Sequence, residues 1–259
     1  MASNHRRNGE KETLMGRINI FNLTKRVYSK EELEEMADEI NANHFPERLK
    51  KAMPFDAYLF LDKLGYEYRW CRISPGLQIS AMMFFSDGEW YIWPKSSYNQ
   101  GDKPEKQSFS KGTVLVNERF LSSKKLRHSE NFAVAHEGCH CIKDKRFFEE
   151  RAGEVASICR SNDSKKVYWR GSEPTIELIE RQNDYLTAAV IMPKEQVKRE
   201  FFKALRWKNI PNEPIDFKGY MKRGIGALGK IYDIGFNAVK YRLQDIGVLI
   251  DPRLEVSDD

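Results

Sequence analysis

The chain of 259 residues is long enough for one large domain, or for a core with an appended lobe. Hydrophobic residues make up 41% and charged residues 31%, which is typical of a globular protein and excludes a disordered or fibrous chain. The net charge is +5, but the 43 basic and 38 acidic residues are interspersed. The sequence therefore lacks the concentrated basic stripe of most nucleic-acid binders.

Targeting signals and cysteines point to the cytoplasm. Residues 1–16 are polar and basic, and no apolar core follows them, so they do not form a secretory signal. The longest apolar runs, 57–61 and 79–85, are too short to span a bilayer, and no membrane partner is expected. Four cysteines in a chain of this length do not indicate a disulfide scaffold, which predicts a reducing, cytoplasmic location.

The first part of the chain predicts a lead-in and two helices. Residues 1–28 are expected to form a flexible lead-in. Ser29 is a typical N-cap, and acidic residues followed by an apolar stripe at helical spacing come after it. A second, shorter amphipathic helix is predicted over 54–64, where Gly65 ends it.

A small, mostly antiparallel sheet is predicted next. Polar and aromatic residues alternate at strand spacing over 66–70. Further strands are predicted over 78–85 and 89–93, and the Asp-Gly pair between these two favours a tight hairpin turn. Residues 94–112 are expected to form a loop. The strand Val114–Asn117 could lie at the sheet edge and pair with an extended substrate, or lie in the interior; the sequence leaves both open.

The rest of the chain is predicted to be helical. One helix is expected over 123–142, and another from Pro174 to the Met192-Pro193 pair. The predicted fold class is therefore α+β, with a small sheet, an active-site helix pair and a helical C-terminal lobe. The predicted divisions are the lead-in at 1–28, the main domain at 29–206 and the lobe at 207–259.

The chemistry is concentrated in an HExxH motif. His136 and His140 lie four residues apart, so on a helix both imidazoles can reach one metal ion. Glu137 projects about 100° away, beside the open position of the metal, where a general base has to stand. The alternative is a core helix with two hydrogen-bonded histidines and a surface glutamate. Against it, both histidines lie on the apolar face, where unpaired imidazoles are costly.

A third ligand is expected on the helix after Pro174. Catalytic zinc takes three protein ligands and leaves one position for water. Glu180 could bind the ion, while Asp184, one turn later, could accept a hydrogen bond from the outer nitrogen of a ligand histidine. The alternative is that both are solvated surface acids near basic neighbours.

These motifs resemble those of the ImmA/IrrE family of zinc metallo-endopeptidases. The resemblance lies in the HEGCH sequence of 136–140 and in the helix that reads Glu180-Arg-Gln-Asn-Asp-Tyr-Leu-Thr-Ala-Ala-Val-Ile-Met-Pro193, and it extends over residues 31–250. It implies that Glu180 is the third ligand of one Zn²⁺ ion, and the similar ExxxD pattern of thermolysin-like peptidases supports Asp184 as its neighbour. The chain departs from the family pattern in having Gly138 instead of a glycine at the next position, and Asn183 instead of a small residue.

The resemblance also implies a substrate. Enzymes of this family cut helix-turn-helix repressors in mobile elements or stress operons, so we expect a specific endopeptidase that controls gene expression.

Four side chains are candidates for stabilising the oxyanion of the reaction: His128, Tyr168, Arg170 and Tyr185.

The C-terminal segment 226–247 resembles a helix-turn-helix fused to the peptidase. Four of its side chains could read DNA: Asn237, Lys240, Arg242 and Gln244. Packing or recognition of a repressor is as well supported, and DNA binding is not favoured. Two other functions remain open: a DNA-binding or sensory regulator with a structural zinc site, and an interaction module that holds no metal.

Overall fold

The computed structural model describes residues 27–74, 76–94, 103–150, 157–160 and 174–250, with the backbone alone for 157–160 and 174–177. Residues 1–26 of the predicted lead-in lie outside these ranges. Tyr28, at its end, is buried in the hydrophobic core, and its carbonyl accepts a hydrogen bond from Gln182 Nε2 at 3.1 Å. Packing therefore begins before the helix that Ser29 opens.

The described chain contains both α-helices and β-strands. The helices are α1 (Lys30–His44), α2 (Ala57–Leu64), α3 (Arg127–Lys143), α4 (Lys145–Glu150), α5 (Pro174–Ile191), α6 (Lys194–Ala204), α7 (Lys222–Tyr232) and α8 (Phe236–Asp245). The strands are β1 (Glu67–Cys71), β2 (Ile79–Met83), β3 (Gly88–Ile92), β4 (Glu105–Phe109), β5 (Thr113–Asn117), β6 (Ser157–Arg160), β7 (Ile215–Asp216) and β8 (Leu249–Ile250). The fold class is α+β, as predicted.

The first two helices begin at side-chain caps. Ser29 Oγ accepts the backbone N–H of Glu32, whose carboxylate accepts the N–H of Ser29, so a complete capping box opens α1. The Asp56 carboxylate accepts the N–H of Leu59, and α2 therefore begins after Asp56 rather than at the predicted residue 54. Gly65 ends α2 with φ 76°, as its position predicted.

Four strands form the principal sheet, in the order β1-β5-β2-β6. β1 and β5 run parallel, whereas β2 runs antiparallel to both β5 and β6. All five residues of β5 are buried. Because β5 lies between β1 and β2, Val114–Asn117 is an interior strand. The alternative that it is a sheet edge able to pair with a substrate is wrong.

The hairpin predicted around Asp87-Gly88 is also wrong. β2 belongs to the principal sheet, whereas β3 pairs with β4 in a separate two-stranded sheet. The Asp87 carboxylate accepts the backbone N–H of Lys111 at 2.8 Å, which ties this turn to the start of β5. The predicted loop over 94–112 contains β4, a strand whose exposed polar residues gave no strand signal.

Helix α3, which carries the HExxH motif, packs on the sheet and against α2 and α5. It begins at Arg127 instead of the predicted residue 123, because a 3-10 turn over Lys124–Leu126 precedes it. A Cβ on Gly138 would lie 2.7 Å from ring atoms of Phe60. This glycine therefore allows α2 to approach α3 closely.

The C-terminal helices pack in the same hydrophobic cluster as helices α1, α2, α3 and α5. Arg242 of α8 has a fully buried side chain, and its Nη1 and Nη2 donate to the carboxylate of Glu34 on α1 at 2.5 and 2.7 Å. Its Nε donates to Met192 O at 3.0 Å. This segment was predicted to be wholly helical, yet it also contains the short parallel pair β7–β8. Among the described helices, none combines the length and apolar character that crossing a bilayer requires.

Gly138→Ala should destabilise the protein by about 1–3 kcal/mol, the usual cost of overpacking a core, because Phe60 leaves no room for a methyl group. Urea unfolding followed by circular dichroism measures the change. Gly226→Ala is the matched control, since a Cβ there meets nothing within 4 Å. It should leave stability unchanged or raise it by up to about 1 kcal/mol. Equal effects of the two substitutions would contradict the close packing at Gly138.

Arg242→Met should lower the free energy of unfolding by about 3–5 kcal/mol, because Glu34 then lies mostly buried without its cation. Lys30→Met is the control: the exposed Lys30–Asp245 pair, at 3.4 Å, joins the same two helices. Its loss should cost less than about 1 kcal/mol. Chemical denaturation compares the two variants, and a similar small effect for both would rule out a stabilising role of the buried pair.

Candidate metal centre

The two motif histidines face each other inside the protein. His136 and His140 lie one turn apart on α3 and are only 2% and 0% exposed. Their Nε2 atoms are 3.0 Å apart, and their rings meet edge to face with centroids 4.6 Å apart. A buried pair of imidazole nitrogens at this distance needs a shared proton or a shared cation.

Helix α5 supplies the third group. Glu180 Oε2 lies 3.1 Å from His136 Nε2, and Glu180 Oε1 lies 3.4 Å from His140 Nε2. Asn183, one of the departures from the family pattern, holds the two helices together at this point. It is fully buried, and its Nδ2 donates to the His136 carbonyl at 2.8 Å.

The three groups could hold a metal ion. One ligand atom of each of His136, His140 and Glu180 lies within 4.8 Å of the others, and no other such group occurs in the described part of the chain. A tetrahedral ion with bonds of about 2.0–2.1 Å separates its ligand atoms by about 3.3–3.4 Å. The observed separations of 3.0 to 3.4 Å are close to this value. Position and donor chemistry therefore fit a metal with nitrogen and oxygen ligands.

Asp184 lies beside the outer nitrogen of His136, but the hydrogen bond that the sequence predicted is absent from the described contacts. Its Oδ1 is 3.1 Å from His136 Nδ1. The two atoms are not aligned for a hydrogen bond, and His136 Nδ1 has no hydrogen-bond partner among the described residues. The Asp184 side chain is also 59% exposed. Its contact with His136 is therefore chiefly electrostatic.

The second histidine has a partner that was not predicted from the sequence. Asp144 Oδ2 lies 2.7 Å from His140 Nδ1, and Asp144 is 6% exposed. Because a carboxylate accepts, the proton resides on Nδ1, and in the neutral ring Nε2 keeps its lone pair directed at the cluster. The available signal was the i, i+4 spacing of His140 and Asp144, the same spacing that joins the two histidines.

The surrounding carboxylates control the protonation of the cluster. Burial would lower the pKa of His136, but the nearby carboxylates of Asp184 and Glu180 outweigh it and raise this pKa well above 6.5. Burial likewise opposes the effect of Glu180 and Asp144 on His140, whose pKa is also raised. For Glu180, burial would raise the pKa, but the two histidines lower it. The raised histidine pKa values therefore indicate that the pair holds a proton more tightly than a free imidazole does, while Glu180 is ionised.

Glu137 is fully buried, one residue after the first ligand. Burial of the Cys141 thiol, one turn further along α3, raises its pKa, and the negative charge of Glu137 raises it further. A buried carboxylate is costly unless hydrogen bonds or positive charge stabilise it. A divalent ion bound to the neighbouring histidines would contribute such charge.

Two of the proposed oxyanion groups have other partners. His128 Nδ1 bonds to Asp233 O at 2.7 Å, and His128 lies about 12 Å from His136 along the helix axis. The Tyr185 hydroxyl donates to Glu34 Oε1 at 2.7 Å. Tyr168 and Arg170 lie outside the described residues.

Comparison with known proteins adds no relative to these observations. No protein-family model, curated protein or solved structure matches the chain. Membership of the ImmA/IrrE family, which the motifs indicate, therefore stays a prediction.

Metal binding should become tighter as the pH rises from about 6 to 9. The raised pKa values of His136 and His140 mean that protons compete with the ion, and this competition ends as the pH passes through those values. Competition with a chromophoric chelator, using Zn²⁺ as the probe, measures the affinity at each pH. His128→Gln, on the same helix, should show the wild-type profile. A flat profile in the wild type would contradict a site built from these two histidines.

Proposed function

We propose that the protein is a zinc-dependent endopeptidase. The observation that carries the proposal is the convergence of His136, His140 and Glu180, with their ligand atoms within 4.8 Å of one another, beside the buried Glu137. Two imidazoles and one carboxylate are a ligand set of catalytic zinc in peptidases. Glu137 stands next to the first ligand, where the general base of an HExxH site is found.

The number of ligands favours a catalytic over a structural zinc. A structural site is closed by four protein ligands, whereas a catalytic site has three and an open position. Within the described ranges, the cluster consists of three groups. The Glu180 side chain is 29% exposed, so the cluster can be reached from the side of α5.

Each residue of the site would have a separate role in the reaction. Zinc, when bound, would lower the pKa of a water molecule and polarise the scissile carbonyl. Glu137 takes the proton from the attacking water and passes it to the leaving amide nitrogen. His136 and His140 would hold the ion through their Nε2 atoms, and Glu180 would be the third ligand. Asp144 keeps the His140 ring in the tautomer that can bind the ion.

The substrate we propose is a specific intracellular protein, a helix-turn-helix transcriptional repressor. The support is the resemblance of both motifs to ImmA/IrrE peptidases, which implies a role in a mobile element or a stress response. A cytoplasmic location agrees with the described cysteines, Cys71, Cys139 and Cys141, which are free thiols.

A DNA-binding regulator has weaker support. Helices α7 and α8 are joined by the three residues 233–235, a helix-turn-helix connection. Of the four side chains that could read DNA, however, Arg242 is buried and bound to Glu34. Lys240 lies over the ring of Phe217 at 5.1 Å. Salt-dependent DNA binding that Glu137→Gln leaves unchanged would favour this function over the peptidase.

Glu137→Gln should bind zinc as the wild type does and should cleave its substrate at least about 100-fold more slowly, because the amide cannot accept the proton. The assay incubates the zinc-loaded protein with small helix-turn-helix proteins encoded beside its gene, and mass spectrometry identifies new termini. Elemental analysis of the same samples measures bound zinc.

The matched control is Glu130→Gln, the same substitution two turns earlier on α3. Glu130 accepts hydrogen bonds from Tyr58 and Trp70, and its variant should keep the wild-type rate. Cleavage by Glu137→Gln at the wild-type rate would contradict the role of Glu137 as the general base. A purified wild type without stoichiometric zinc would instead support the interaction module.

A further inference from the structure

The last residue of α3, Lys143, is a buried lysine that the proposed reaction does not use. Its side chain is 0% exposed. Its Nζ lies 2.7 Å from Asp144 Oδ1 and 3.4 Å from the carbonyl oxygen of Ile179 on α5. Since a buried ammonium group is costly to desolvate, these contacts have to stabilise it. Both contacts connect Lys143 with the candidate metal centre, because Asp144 binds His140 and Ile179 directly precedes Glu180.

Asp144 uses its two oxygens for two different partners. Oδ2 accepts from His140 Nδ1 at 2.7 Å, and Oδ1 accepts from Lys143 Nζ at 2.7 Å. Hydrogen bonds to charged groups are stronger and more directional than neutral ones. The carboxylate therefore cannot rotate away from His140 without also losing its bond to Lys143.

The His140 ring is also held by an aromatic contact. Phe148 of α4 meets the ring edge to face, with centroids 5.5 Å apart, and itself stacks on Phe85 at 4.8 Å. A ring fixed at its outer nitrogen and on its face has one favoured orientation. In that orientation Nε2 is directed at His136 and Glu180.

We propose that Asp144 and Lys143 are positioning residues of the metal centre. Asp144 orients His140 and makes its Nε2 a better donor, and Lys143 fixes Asp144 while it joins α3 to the residue before the third ligand. This inference rests on the metal centre of the proposed function, but it does not require that the protein cleave peptide bonds.

The test measures Zn²⁺ affinity by chelator competition on the full-length chain. Asp144→Asn should bind Zn²⁺ about 10–100-fold more weakly, the usual effect of removing an outer partner of a ligand histidine. Lys143→Met should weaken binding less, because the bond between Asp144 and His140 remains. With Co²⁺ in place of Zn²⁺, both variants should change the visible absorption spectrum, which reports ligand geometry.

Two further variants separate positioning from general stability. Glu34→Gln makes the same carboxylate-to-amide change beside another buried cation, Arg242, far from the metal ligands in sequence. It should lower the unfolding temperature but leave Zn²⁺ affinity and the Co²⁺ spectrum unchanged. Asp144→Glu, which keeps the charge, should bind Zn²⁺ more tightly than Asp144→Asn. Where Asp144→Asn does not fold, Lys143→Met carries the test.

Wild-type affinity and spectrum in Asp144→Asn would overturn the role of Asp144, and the same result in Lys143→Met would overturn that of Lys143. If Glu34→Gln lost as much Zn²⁺ affinity, the losses in Asp144→Asn and Lys143→Met would be explained by lower stability of the fold. That result would overturn the proposal. A wild type that binds no Zn²⁺ would overturn the metal centre itself. A wild type that binds Zn²⁺ but cleaves no protein would overturn the proposed function alone.

Discussion

The contact between α3 and α5 brings polar groups together inside an apolar core, and the site depends on keeping that contact in register. Asn183 donates to the backbone carbonyl of His136, so one side chain fixes the relative position of the two helices. On another face of α3, Gly138 lets Phe60 approach, which leaves no space for the helix to shift. Buried polar groups are tolerated only when they are paired, so the apolar packing and the polar cluster require the same geometry.

The two histidines of the cluster are not equivalent. His140 has its partner, Asp144, at the residue directly after its own helix, and that partner is 6% exposed. The partner of His136 comes from α5, and the Asp184 side chain is 59% exposed. The cluster is therefore closed at His140 and accessible at Asp184. His140 thus lies on the enclosed side of the cluster, whereas His136 lies beside a carboxylate that faces solvent.

Local patterns predicted the parts of the fold that local interactions determine. The caps at Ser29 and Gly65, the HExxH helix and the helix from Pro174 were all confirmed, because spacing and caps act within a few residues. The hairpin prediction failed because β2 finds its partner in β5, about 30 residues later, so pairing is decided by packing of the whole sheet. Asp144 was missed, although its spacing from His140 could be seen, because a sequence does not show which polar side chains are buried together. Arg242 read as exposed for the same reason, since its partner Glu34 is 208 residues earlier. The domain boundaries and the family stay predictions.

The pairing of Glu34 with Arg242 has a consequence for the order in which the protein is made. All three candidate metal ligands lie between these two positions in the sequence. During synthesis on the ribosome, all three candidate ligands are therefore made before Arg242. Until then, Glu34 of α1 lacks the cation that neutralises its carboxylate. A mostly buried carboxylate without its partner is unfavourable, so α1 gains its final stability only when α8 has emerged. Completion of this part of the fold thus waits until α8, the last of the described helices, has been translated.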